Sequence, residues 1–173
     1  MLNQKFIIIL PLVLLGLINQ AVNAQVKQNR LRNTLTGANN CLDIINDGDN
    51  NQLTMARCSN VAGQRWSLTA SEANPQAYRL QTPLTGAKNC LDIINDGKSD
   101  RVIMAQCSDA PSQLWSITPT NKNPGYSGYS LVRNELAGGD KCLNIIKDGR
   151  NNKLTMTKCN GVSGQSWKIT KTP

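Results

Sequence analysis

Three near-copies of one block of sequence constrain this chain more than any other feature. The first runs Cys41-Leu42-Asp43-Ile44-Ile45-Asn46-Asp47-Gly48, then Leu53-Thr54-Met55-Ala56-Arg57-Cys58, then Gly63-Gln64-Arg65-Trp66. It returns from Cys90 to Trp115 and again from Cys142 to Trp167. In each copy the two cysteines are 17 residues apart and the tryptophan follows the second by eight. The copies are offset by 49 and then 52 residues, so the second connection is three residues longer. Repetition at such a period makes this a three-repeat chain and fixes its architecture before any local reading is made.

Within a copy, apolar residues alternate or come in short bursts bounded by Asn, Asp and Gly, as in Leu42, Ile44, Leu53 and Met55 around Asn46-Asp47-Gly48. That is a strand–turn–strand pattern, with Asp-Gly as favoured turn chemistry. Trp66 to Thr69 reads as a further strand, and Tyr78 to Thr82 opens the second copy with another. Helical periodicity is missing. The pattern predicts about four short strands per copy, about twelve in all, in an all-β closed architecture with little free edge. By the alternation of strand side chains, Leu53, Met55, Leu154 and Met156 enter the core, while Ala56 and its counterparts leave it. Six cysteines permit about 15 pairings, and the repeat favours the one that closes the same loop in each unit: Cys41–Cys58, Cys90–Cys107 and Cys142–Cys159.

The chain starts with a short basic stretch to Lys5, an apolar run from Phe6 to Ile18, and small residues at Val22-Asn23-Ala24. This is the layout of a secretory signal peptide over residues 1–24, cleaved after Ala24. The run is shorter than the roughly 20 apolar residues of a membrane span and contains Pro11, so no transmembrane anchor is expected. Residues 25–173 then form one exported domain, extracellular or periplasmic, with repeats at about 26–70, 77–119 and 128–171. Export suits disulfides. The formal net charge is +8, and from Tyr129 onward eight Lys and Arg stand against three Asp and Glu. The scattered lysines and arginines suit a solvated face, or attraction to anionic glycan or a lipid surface. No basic helix or stacking motif points to nucleic acid.

Three copies of Cys-Leu-Asp/Asn, a second cysteine and Gln-x-Trp resemble the ricin B-type lectin family over essentially the whole exported chain. The resemblance implies a β-trefoil and a carbohydrate-binding function, with glycans or glycoconjugates as partners and no cofactor. It makes Trp66, Trp115 and Trp167 core residues, and Gln64, Gln113 and Gln165 buried braces. Asp43 and Asp92 match the family's acceptor of sugar hydroxyls, a role suited to a fixed carboxylate that takes charge-assisted bonds from vicinal hydroxyls. The alternative is that each aspartate only holds its own turn. Asn46, Asp47 and Thr54 would complete the first site, with Asn50 and Asn51 beside them, and Asn95 and Gln113 the second.

The sequence departs from the family pattern in four ways. Ala56, Ala105 and Thr157 stand where an aromatic platform for the sugar is usual, two residues before the second cysteine. Ile103 replaces a polar residue in the second copy, and Asn144 replaces the aspartate in the third. The residue preceding Gln-x-Trp is Gly63, Ser112 or Gly164 rather than asparagine. Of the tyrosines, Tyr78 and Tyr129 open corresponding strands and are expected to pack, while Tyr126 in the longer connection is freest for contact. Two function classes follow: a lectin with one or two shallow sites, and a trefoil that has lost sugar binding and serves as a protein-interaction or toxin-delivery subunit beside a separate protein chain. A protease inhibitor is a third. An enzyme is not expected, because there is no histidine for a triad and Glu72 and Glu135 have no partnered motif. No metal site is expected either. There is no Cys-x-x-Cys, and a calcium loop begun at Asp43 would place Ile45 where a ligand is required.

Overall fold

The computed structural model describes residues 27–49, 51–95, 100–120, 128–147 and 152–172. The signal segment, Asn50, Asp96-Gly97 and Tyr126 lie outside the described residues, as does the side chain of Asn95. Twelve strands are described, four per copy. The first copy supplies β1 (Gln28–Asn33), β2 (Asn40–Ile44), β3 (Leu53–Arg57) and β4 (Trp66–Ala70). The second supplies β5 (Tyr78–Gln81), β6 (Asn89–Asn95), β7 (Asp100–Gln106) and β8 (Trp115–Pro119). The third supplies β9 (Ser130–Asn134), β10 (Lys141–Ile146), β11 (Lys153–Lys158) and β12 (Trp167–Lys171).

The first and last strand of each copy form a six-stranded antiparallel barrel in the order β12-β9-β8-β5-β4-β1, closed by β12 against β1 over Asn29↔Lys171 to Asn33↔Trp167. Closure removes the free edges that an open sheet would present. The middle strands form three hairpins, β2–β3, β6–β7 and β10–β11. These meet one another through Gln52↔Ile103 and Thr155↔Arg101. A concavity of about 600 Å³ opens at that meeting point, with Ile45, Ile103, Arg101 and Lys153 among its lining residues. Such a threefold barrel with hairpins is a β-trefoil.

The first hairpin turns through Asn46-Asp47-Gly48, and its connection is longer than that of the second, where pairing continues to Asn95↔Asp100. β2 ends at Ile44 and β3 starts at Leu53, with one further bond from Ile45 N to Gln52 O at 2.8 Å. Gly48 takes the left-handed conformation, φ +97°, that its lack of a side chain permits.

Eighteen buried apolar residues make the core, and they are six positions in triplicate. Leu31, Leu80 and Val132 come from the opening strands; Leu42 and Ile44 with their counterparts from the hairpins' first strands; Leu53 and Met55 with theirs from the second. Trp66, Trp115 and Trp167 complete the set, each with no exposed surface. A buried indole N–H needs an acceptor. Each finds the same one, donating to Leu42 O, Leu91 O or Leu143 O at 2.9–3.0 Å. The disulfides pair Cys41–Cys58, Cys90–Cys107 and Cys142–Cys159, one in each copy.

Neighbouring copies are stitched by a buried side chain at the end of each opening strand. Asn33 donates to Gly164 O at 2.9 Å, Thr82 to Ala62 O at 3.1 Å and Asn134 to Ser112 O at 2.7 Å. Each therefore holds the short 3-10 turn (62–64, 111–113 or 163–165) that carries the glutamine of the preceding copy.

Candidate functional site

The glutamine turn, the end of the first hairpin strand and the disulfide come together identically in the first two copies. Gln64 is 1% exposed. Its Nε2 donates to Asp43 Oδ2 at 2.8 Å and to Arg57 O at 3.0 Å, while its Oε1 accepts from Ser59 N at 2.7 Å. In the second copy Gln113 Nε2 donates to Asp92 Oδ2 at 2.9 Å and Gln106 O at 2.8 Å, and its Oε1 accepts from Ser108 N at 2.7 Å. The other carboxylate oxygen caps the next backbone amide, Ile44 N at 2.8 Å or Ile93 N at 2.7 Å. Both aspartates thus hold their own turn and are also fixed by the brace. Each oxygen takes one of these protein bonds and retains a second lone pair, and both side chains are half-buried at the surface.

The third copy is wired differently. Gln165 keeps Lys158 O at 2.8 Å and accepts from Asn160 N at 2.9 Å, but its other donation goes to Thr157 Oγ1 at 2.9 Å. Asn144 is 9% exposed, and its Oδ1 is buried without a partner. The amide offers the brace a poorer acceptor than a carboxylate, and the threonine hydroxyl takes its place. Close approach of the turn to this strand requires glycine, since a Cβ on Gly164 would run into Asn144 Oδ1 and Ile145 O. Gly63 comes as near the Asp43 carboxylate in the first copy.

Register sets what surrounds each aspartate. Thr54 lies directly opposite Asp43, Ile103 opposite Asp92 and Thr155 opposite Asn144. Thr155 is buried and donates to Asp100 O at 3.0 Å across to the neighbouring hairpin. Ala56, Ala105 and Thr157 pair with the first cysteine of their copies, on the aspartate's side of the hairpin. Asn46 and Asp47 are exposed in the connection beyond β2, and Asn95 ends β6 opposite Asp100. Tyr78 packs against the core, whereas Tyr129 lies against Lys168, whose Nζ is 5.9 Å from the ring centroid. Among the described residues no three His, Cys, Asp or Glu side chains group to hold a metal ion, and no helix is long and apolar enough to cross a membrane.

A β-trefoil with a Gln-x-Trp brace on a hairpin aspartate defines a lectin-type architecture. The sequence matches the ricin-type β-trefoil lectin domain over residues 27–131 and again over 79–173, and the chain belongs to that family. No curated protein matches it. Solved structures with the same fold include a mosquitocidal holotoxin (TM-score 0.68, 20% identity), aligned over 86% of this chain and 18% of the toxin chain. This chain therefore spans less than a fifth of that toxin. The designed threefold-symmetric protein ThreeFoil aligns at TM-score 0.67 and 19% identity, over 82% of this chain and 96% of its own. SeviL, bound to an asialo-GM1 saccharide, aligns at 0.61 and 18%, over 84% and 98%. At these identities the likeness is one of fold.

Proposed function

We propose that the protein is a secreted lectin that contacts sugar through Asp43 and Asp92, its third copy being structural. The observation that carries this reading is the glutamine–aspartate bond, kept in two copies and replaced in the third by a bond to Thr157. A braced carboxylate is pre-oriented, so little ordering cost remains when vicinal hydroxyls donate to its free lone pairs. Thr54 adds a polar group in the first site; Ile103 makes the second site more apolar. With alanine at the platform position, each site is shallow and weak, and two sites on one domain raise avidity. The apolar leader and three disulfides support export to an oxidising compartment. SeviL, which shares the fold, binds a saccharide.

The test is glycan-array binding by oxidised residues 25–173. The comparison protein carries Asp43→Asn, Ala56→Thr, Asp92→Asn and Ala105→Thr, which copy the third repeat's pattern, and Ala56→Thr with Ala105→Thr alone is the control. Binding to a defined glycan family should disappear in the first and persist in the control; binding by the first would refute the site. The alanines at both platform positions favour a second reading, a trefoil that docks a protein chain. Silence across the array together with a stoichiometric partner in the native secretome would select it.

A further inference from the structure

A second candidate site lies on the barrel flank, where β12 closes against β1, and it does not depend on the reading above. Arg32 and Lys168 are direct cross-strand partners there, so their side chains leave the same face side by side. Like charges in this position are destabilising. Neither belongs to a salt bridge among the described residues, where the ion pairs are Arg79–Asp109 and Lys141–Asp100. The equivalent pairs at the other two junctions are Ser67 opposite Gln81 and Ser116 opposite Arg133. The fold therefore asks for no cation at either position, and only the third junction carries two.

Around the pair is a groove of about 290 Å³ lined by Arg32, Asn33, Ala38, Tyr129, Lys168 and Thr170, with no carboxylate among them. Arg32 Nη1 donates to Thr170 Oγ1 at 2.7 Å, which holds the guanidinium across the groove. Tyr129 walls one side, half-buried, with Lys168 against its ring. The corresponding position in the second copy is Ala77, which is buried, so the ring too is an addition to the repeat. Two unneutralised cations beside an aromatic wall and a hydroxyl match a ring sugar bearing an acidic group. A bare phosphate or a lipid headgroup would use the cations and leave the ring idle.

We infer that this groove binds an anionic saccharide unit, its sulfate or carboxylate between Arg32 and Lys168 and its ring against Tyr129. The exported chain is titrated with a heparin-derived tetrasaccharide (sulfate and carboxylate), a hyaluronan tetrasaccharide (carboxylate alone) and neutral chitotetraose. At least one acidic tetrasaccharide binds, chitotetraose does not, and affinity falls several-fold between about 50 and about 300 mM NaCl as the charges are screened. Arg32→Gln with Lys168→Ser installs the pair used at the first junction, so folding is retained, and affinity drops about ten-fold. Lys88→Ser with Lys158→Ser removes the same charge elsewhere and changes it less than about two-fold. Tyr129→Ala weakens tetrasaccharide binding but not that of inorganic sulfate. Asp43→Asn, Ala56→Thr, Asp92→Asn and Ala105→Thr together, which supply each glutamine with the acceptor the third copy uses, leave this binding intact and so separate the two sites. The inference is overturned if neither acidic tetrasaccharide binds, if the Arg32/Lys168 variant binds as the parent does, if the control variant loses as much, or if only phosphatidylserine vesicles bind.

Discussion

Replacing Asp43 by asparagine removes one carboxylate oxygen and puts a donor in its place. In the same rotamer the amide keeps an acceptor for Ile44 N, now 2.8 Å from Oδ1, and turns its NH2 toward Gln64 Nε2, now 2.8 Å from Oδ2. Two donors then face each other beside a glutamine that is 1% exposed and cannot turn to water. Loss of a bond to a charged acceptor by a buried donor should cost about 2 kcal/mol, or a fall of about 4–8 °C in Tm for a domain of this size. The third copy shows the remedy, because Thr157 Oγ1 accepts from Gln165 Nε2 at 2.9 Å. Ala56→Thr places a hydroxyl at the equivalent point and by itself should change stability by less than about 0.5 kcal/mol. Combined with Asp43→Asn it should restore about 1 kcal/mol. Recovery is partial because the third copy itself leaves Asn144 Oδ1 buried without a partner. Urea unfolding of the four proteins with disulfides oxidised, at unchanged m-value, gives the coupling energy directly. A coupling below about 0.3 kcal/mol, the usual additivity of independent sites, would refute the account of how the brace is wired.

Gly164→Ala should destabilise by about 2 kcal/mol through overpacking, since the added methyl meets the Ile145 carbonyl, which is backbone and cannot swing away. Gly63→Ala should cost less, about 1 kcal/mol, because no carbonyl stands against it and the second copy accepts Ser112 at this position beside a carboxylate braced in the same way. Equal losses in thermal unfolding would contradict that ordering. Removing the second disulfide by Cys90→Ala with Cys107→Ala opens a loop of 17 residues and should cost about 3 kcal/mol by denaturant unfolding. A loss within error of zero would mean that the hairpin is already held in the unfolded ensemble.

The repetition made the closed all-β architecture and the disulfide pairing legible, because one structural solution must satisfy three copies at once, whereas the β-trefoil itself and the burial of Trp66, Trp115 and Trp167 were legible through the family resemblance. The bonds from Gln64 and Gln113 to Asp43 and Asp92 were legible only through the family resemblance, since spacing alone cannot say that residues 21 apart touch. The turn at Asn46-Asp47-Gly48 was legible from Asp-Gly chemistry, but the strand ends at Ile44 and Leu53 were not, because they are set by which residues reach the core. The rewiring of the third copy was written in plain view as a double change, aspartate with alanine becoming Asn144 with Thr157. The two positions are thirteen residues apart, and their shared dependence on Gln165 exists only once the β10–β11 hairpin and the turn have folded together.

The same logic applies to the barrel flank. Trp66-Ser67, Trp115-Ser116 and Trp167-Lys168 show the departure at once, yet its meaning depends on Arg32, which meets Lys168 only because β12 returns to close on β1. A threefold chain therefore separates its own constraints. Positions alike in all copies, such as the tryptophans and cysteines, answer to the fold. Positions that differ either meet the same structural need another way, as Thr82 does beside Asn33 and Asn134, or carry chemistry that the fold does not ask for, as Arg32 and Lys168 do. Asp43 and Asp92 stand between these classes, since they brace a turn that Asn144 and Thr157 show can be braced without a carboxylate. The charge in the first two copies is more than the turn requires, and that excess is the strongest physical reason to look for sugar there.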